Sequence, residues 1–253
     1  AQFEVGKLYA EQGNEEEAIR YLKIAANNNF VDAKIALGLL SLSNKNYKEA
    51  LSYIEEAVEQ GSLWAKYFLS RIYLQGLGVE KDLEKAFKLT LEASKLNKPE
   101  IFMDLANFYK KGIGVEKNLP LALKYLIKAA DGGENAALYN LGNAYLLGKL
   151  GLKKNDATAF KLIEKAAKSG FPIAMHQLGC LYDRGIGVQQ DKKIAFSYFE
   201  KAAQKNVVTA LHALGSYYFN GSYVARDKVK AKQYFEQAAA RGDEESKKAL
   251  LLF

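Results

Sequence analysis

Cysteine, proline and long apolar runs are all scarce in this sequence. Its single cysteine, Cys180, excludes a disulfide within the chain. Only three prolines interrupt a sequence with many alanine, leucine, lysine and glutamate residues, and that composition favours helix throughout. No apolar stretch reaches the roughly 18 residues that a membrane-spanning helix requires, so we expect no such span.

Sequence motifs of the common enzyme classes are absent as well. There is no Gly-x-x-x-x-Gly-Lys-Ser/Thr loop, no Gly-x-Ser-x-Gly elbow, and neither Cys-x-x-Cys nor His-Glu-x-x-His. Gly-x-Gly-Val does occur, but it joins two predicted helices and follows no strand, so it is not a dinucleotide-binding loop. We therefore predict a non-enzymatic protein with no cofactor and no bound metal.

One sequence pattern recurs along the whole chain. In each repeat, apolar or small residues fall at the i, i+4, i+7, i+8 spacing of a helix face, first in one segment and then in a second. Each repeat thus predicts a helical hairpin, and the series predicts an all-α solenoid that forms a single domain. The predicted repeats are 1–32, 33–64, 65–100, 101–136, 137–173, 174–209 and 210–245, with a partial repeat at 246–253.

Small residues occupy one position in each predicted helix, where a missing side chain lets paired helices approach closely. In the first helices they are Gly6, Gly38, Ser70, Ala106, Gly142, Gly179 and Gly215. In the second helices they are Ala18, Ala50, Ala86, Ala122, Ala159, Ala195 and Ala231.

The ends of the predicted helices carry their own signals. Glycines that end a first helix in the left-handed conformation are predicted at Gly76, Gly112, Gly148, Gly185 and Gly221. Short acceptors that cap the second helix are predicted at Asp82, Asn118, Asp156, Asp191 and Asp227.

The pattern A-x-x-x-L-G-x-x-Y-x-x-G-x-G-V, followed by K-A and Y-F-x-K-A-A, resembles the Sel1-like repeat, a relative of the tetratricopeptide repeat. The likeness is closest in residues 174–206, whereas the first two repeats lack the Gly-x-Gly-Val loop. It implies a right-handed α/α superhelix whose first helices line a concave groove. It also implies an adaptor or scaffold, in many cases bacterial and periplasmic or secreted, although the sequence leaves the cytoplasm open.

The tetratricopeptide likeness implies which side chains face a ligand in that groove. Many of them are aromatic, arginine and amide side chains, which anchor interfaces and bond a peptide backbone. They are Trp64, Tyr67, Arg71, Gln75, Met103, Asn107, Lys110, Lys111, Tyr139, Asn143, His176, Asp183, Arg184, His212, Ser216 and Asn220. We predict that the groove binds a protein or an extended peptide. Trp64 is expected either in the groove or in the core between the second and third repeats.

One set of these residues permits other chemistry. His176 and Cys180 are four residues apart, Asp183 and Arg184 follow one turn later, and His212 holds the position of His176 in the next repeat. A thiolate beside an imidazole could act as the nucleophile of a hydrolase-like reaction. Two histidines and a cysteine could instead bind zinc. The plainer interpretation is a set of polar groove residues with a half-buried thiol.

The net charge of +7 is unevenly spread, since residues 1–64 are acidic and residues 137–209 are the most basic. Several lysines could contact the phosphates of a nucleic acid, while tyrosines could stack on its bases. These lysines are Lys110, Lys111, Lys149, Lys153 and Lys154. Weak polyanion binding, with an affinity that falls steeply as salt rises, is therefore another alternative. Acids are interspersed in most repeats, so nucleic acid is not the favoured partner. The apolar end at 249–253 predicts a fragment, or an end that self-associates with another copy.

Overall fold

A computed structural model describes all 253 residues of the protein. It contains fifteen α-helices and one short 3-10 turn, and no strands. None of the helices combines the length and the apolar character needed to cross a membrane. The chain divides within the eighth helix into two compact units, an N-terminal unit (Ala1–Tyr125) and a C-terminal unit (Leu126–Phe253). The sequence-based expectation of a single domain stays a prediction.

The N-terminal unit is built from helical hairpins in which each helix packs on its neighbours in the chain. Its helices are α1 (Gln2–Glu11), α2 (Glu15–Asn27), α3 (Val31–Ser43), α4 (Tyr47–Glu59), α5 (Leu63–Gln75), α6 (Leu83–Ala93), the 3-10 turn Ser94–Leu96, α7 (Pro99–Lys111) and the start of α8 (Leu119–Asp131).

The C-terminal unit repeats the same arrangement, with α9 on α10, α11 on α12 and α13 on α14. After the end of α8, its helices are α9 (Asn135–Leu147), α10 (Asp156–Lys168), α11 (Pro172–Arg184), α12 (Lys192–Gln204), α13 (Val208–Asn220), α14 (Lys228–Ala240) and α15 (Glu244–Leu250). The short α15 packs on α14 as the first helix of a further hairpin would.

The predicted close approach of paired helices is confirmed. All seven alanines of the second helices are buried, with at most 1% of their surface exposed. A Cβ added to Gly179 would lie only 2.7 Å from the ring of Phe199, and one added to Gly142 would lie 2.7 Å from the side chain of Ile163. A large residue of the second helix therefore fills the space that the glycine of the first helix leaves open.

The third hairpin solves the same packing problem with polar residues. Thr90 stands where the other second helices carry a large apolar residue, and its hydroxyl lies 3.0 Å from that of Ser70. Both groups are buried, and each also contacts a backbone carbonyl of its own helix, Ser70 that of Tyr67 and Thr90 that of Ala86. The pair is thus satisfied by hydrogen bonds without water.

The turn signals are confirmed for all five glycine caps, which adopt left-handed backbone angles. The predicted cap at Asp156 is wrong, because the residue that accepts from the backbone of α10 is Asn155, at 2.9 Å from the amide of Thr158. In the other four glycine-capped loops the capping residue follows the tyrosine of the first helix by nine positions, as Asp191 follows Tyr182. The loop after α9 is one residue longer, so the cap falls on Asn155, ten positions after Tyr145.

The second glycine of the Gly-x-Gly-Val loop lies against the preceding hairpin. A Cβ on Gly114 would overlap the carbonyl oxygen of Leu83, at the start of α6. The valine after it, Val115, packs on the cluster that contains Leu105 and Phe108. This loop therefore joins neighbouring hairpins as well as the two helices of one hairpin.

A matched pair of substitutions tests this contact. Gly112 and Gly114 both have a positive φ, so alanine at either costs about 1–2 kcal/mol of backbone strain. A Cβ on Gly112 meets nothing closer than 3.4 Å, whereas on Gly114 it meets backbone that cannot move aside. We expect Gly114→Ala to lower the free energy of unfolding by about 1–3 kcal/mol more than Gly112→Ala, measured by urea denaturation. Equal losses would contradict the role of the loop contact.

Candidate partner-binding site

A pocket of about 320 Å³ opens on the C-terminal unit, where α11, α13 and the start of α15 meet. We call it the α11–α13 pocket. It brings together six residues singled out from the sequence, namely His176, Cys180, Asp183, Arg184, His212 and Ser216. Six lining residues were missed by that reasoning: Phe199, Thr209, Ala213, Tyr217, Asp243 and Glu245.

Each of the two histidines of the pocket packs against a phenylalanine ring. The ring of His176 lies 5.6 Å from that of Phe199, and the ring of His212 lies 5.3 Å from that of Phe235. Both phenylalanines are buried, and they are the residues that fill the space over Gly179 and Gly215. The packing of each hairpin thus fixes where its histidine stands.

The thiol and the imidazole of the first histidine are in contact. The Sγ atom of Cys180 lies 3.7 Å from Nε2 of His176. Burial raises the pKa of the Cys180 thiol, with Arg184 opposing and Asp183 reinforcing that shift. Burial lowers the pKa of His176. Both shifts favour the neutral forms, whereas a nucleophilic cysteine needs a low pKa.

The second histidine ties α13 to α15. Its Nδ1 atom lies 2.9 Å from the hydroxyl of Ser246, which is fully buried, and 3.4 Å from a carboxylate oxygen of Asp243. Asp243 in turn accepts a hydrogen bond from the backbone amide of Ser246 and so caps α15. Burial alone would raise the pKa of Asp243, but the two hydrogen bonds from Ser246, with the neighbouring imidazole of His212, together lower it.

A hydrogen bond across the pocket ties α13 to α11. The hydroxyl of Tyr217 donates to Oδ1 of Asp183 at 2.5 Å. Burial and the neighbouring carboxylate both raise the pKa of Tyr217, so its hydroxyl keeps its proton. The ring of Tyr217 also meets that of Phe199 edge-on, with their centroids 5.6 Å apart. The floor and one side of the pocket are therefore held in place by the chain itself.

In the N-terminal unit, three further predicted residues cluster on α5. Tyr67 is buried, and its hydroxyl donates to a carboxylate oxygen of Asp104 at 2.9 Å while Arg71 donates to that hydroxyl at 3.3 Å. Burial, with Asp104, raises the pKa of Tyr67 to about 12. Trp64 is half-buried between two core clusters and packs near the rings of Tyr67 and Phe68. Of these predicted residues, Arg71 is the one whose side chain is largely exposed.

The remaining predicted residues lie outside the α11–α13 pocket. The exposed ones are Gln75, Lys110, Lys111 and Asn220, and the half-buried ones are Met103, Asn107, Tyr139 and Asn143. Asn220 lines a neighbouring cavity of about 310 Å³, which it shares with His212 and Ser216. No three histidine, cysteine, aspartate or glutamate side chains are arranged to share a metal ion.

Comparison with protein families decides the relationship. The Sel1 repeat family model matches the chain seven times, at residues 1–30, 33–62, 65–98, 103–134, 135–171, 172–207 and 208–243. The chain belongs to the Sel1 repeat family. The predicted resemblance and the all-α solenoid class are both confirmed, and Sel1 repeat proteins are known as protein-interaction scaffolds.

Solved structures of bacterial proteins share the fold. The protective antigen c5321 of uropathogenic Escherichia coli superposes with a TM-score of 0.86 at 27% identity, over 98% of this chain and 55% of that one. This chain therefore spans little more than half the length of that antigen. A Sel1 repeat protein from Oxalobacter formigenes has a TM-score of 0.77 at 29% identity, over 84% of this chain and 86% of that one. The immunity protein PA5088 of Pseudomonas aeruginosa has a TM-score of 0.50 at 26% identity, over 77% of this chain and 74% of that one. No curated protein matches this Sel1 repeat chain.

The state of the thiol is open to a direct test. Because the pKa of Cys180 is raised, the reactive thiolate is scarcer at neutral pH than in a free cysteine, whose pKa is about 8.5. We expect iodoacetamide to alkylate Cys180 more slowly in the folded protein than in the urea-unfolded protein, with a rate that climbs above pH 8.5. A fast reaction that is already constant below neutral pH would instead indicate a thiolate–imidazolium pair and revive the hydrolase-like alternative.

Proposed function

We propose that this Sel1 repeat chain is a non-enzymatic scaffold that binds a protein or an extended peptide along its first helices. The α11–α13 pocket is the anchor point of that surface in the C-terminal unit. The observation that carries the proposal is the convergence of six sequence-predicted side chains, from two successive first helices, on one open pocket. Open concave sites with an apolar base and a few polar groups are typical of ligand-binding sites.

The state of the pocket supports binding over catalysis. Its polar groups are oriented by the chain itself, Asp183 by Tyr217 and His212 by Ser246. A partner would therefore meet groups that are already in position. Binding would then lose little free energy to the ordering of side chains. The neutral thiol and imidazole favoured by burial give the pocket no prepared nucleophile.

The proposal is tested with peptides selected by display on the wild-type protein. Thr209 lines the pocket and is exposed, so Thr209→Trp fills the pocket with little effect on the core. We expect Thr209→Trp to weaken the selected peptides about tenfold or more, which corresponds to ~1.4 kcal/mol, as measured by fluorescence anisotropy.

The matched control is Gln237→Trp, which places the same side chain on an exposed position of α14, away from the pocket. It should leave the affinity for the same peptides unchanged. The proposal fails if display selects no peptide, or if both tryptophan variants bind every selected peptide as tightly as the wild type does.

A further inference from the structure

We propose that the α11–α13 pocket receives a lysine or arginine side chain of the bound segment. The inference rests on the proposed function and specifies the chemistry of the residue that anchors there. It follows from the charges around the pocket, from the acceptors that the chain leaves free, and from the aromatic surface between them.

The charge of the lining residues favours a cation. Asp183, Asp243 and Glu245 bring three carboxylates to the pocket, and Arg184 brings one guanidinium. Two of these carboxylates have partners within the chain, Asp243 in His212 and Glu245 in Lys248, so Asp183 is the one left for a bound cation. Tyr217 occupies only Oδ1 of Asp183, so Oδ2 is left without a hydrogen bond from the chain. A bound anion would meet the carboxylate of Asp183, and like charges brought together at an interface are costly.

The two histidines of the pocket do not cancel its preference for a cation. When the ring of His212 is neutral, the carboxylate of Asp243 beside Nδ1 favours the tautomer that carries its proton there. In that tautomer Nε2 is an acceptor, suited to an ammonium or guanidinium N–H. Burial lowers the pKa of His176, so that ring adds no positive charge to repel a cation.

The aromatic base of the pocket suits both the aliphatic part and the charged end of a lysine or arginine side chain. The rings of Phe199 and Tyr217 line it, and an aromatic face attracts a cation within about 6 Å. Its volume, about 320 Å³, is near the lower end of ligand pockets, which matches one long side chain better than a large ligand.

The test is a double-mutant cycle on peptides selected by display against the wild-type protein. We expect the selected peptides to share a basic position, and replacement of that residue by norleucine or citrulline to weaken binding to the wild type about tenfold. In Asp183→Asn, which keeps an oxygen to accept from Tyr217 and loses the charge, the parent peptide should also bind about tenfold more weakly. The replaced peptide should then lose nothing further.

Glu200→Gln is the matched control, because it removes one carboxylate from an exposed position of α12 outside the pocket. It should leave the peptide affinity unchanged. If Thr209→Trp blocks the peptides but their basic residue and Asp183 make independent contributions, the cation inference is overturned and the scaffold function stands. If Thr209→Trp blocks nothing, the function and the inference fail together.

Discussion

The two helices of each hairpin can cross closely because the first helix carries glycine or another small residue at the crossing. At Gly179 and Gly215 a Cβ would stand 2.7 Å from a phenylalanine ring of the second helix, which leaves no room for alanine without displacing that ring. The same rings, Phe199 and Phe235, support the imidazoles of the proposed binding surface. The packing that holds a hairpin together therefore also sets the position of its candidate functional group.

Polar links then fix one first helix relative to the next. Tyr217 reaches back from α13 to Asp183 on α11, and His212 reaches forward to Ser246 on α15. Each link joins successive repeats and lies in or beside the α11–α13 pocket, so its polar groups are already oriented by the chain. The scaffold that we propose would offer a partner a surface whose shape is set by folding.

Much of this architecture could be predicted from the sequence, because the helical period, the small-residue positions and the glycine turns each have a local physical cause. The capping error at Asp156 arose where one inserted residue shifted the loop, which periodicity alone does not register. Tyr67 stays a predicted groove residue, and the structure adds that its ring is buried and that its hydroxyl donates to Asp104, a contact between repeats that no single repeat encodes. Asp243 and Glu245 were missed for a similar reason, since they precede a partial repeat whose helix had to be placed before its acids could be assigned to the pocket.

Binding of this kind requires that the α11–α13 pocket exists before any partner binds. Amide hydrogen exchange of α11 and α13, followed in the free protein and with a display-selected peptide bound, measures this directly. We predict slow exchange at the buried residues Leu178, Leu181 and Leu214 in both states, with little change on binding. Rapid exchange in the free protein, with protection that arises only in the complex, would mean that the partner folds the site and would contradict the account.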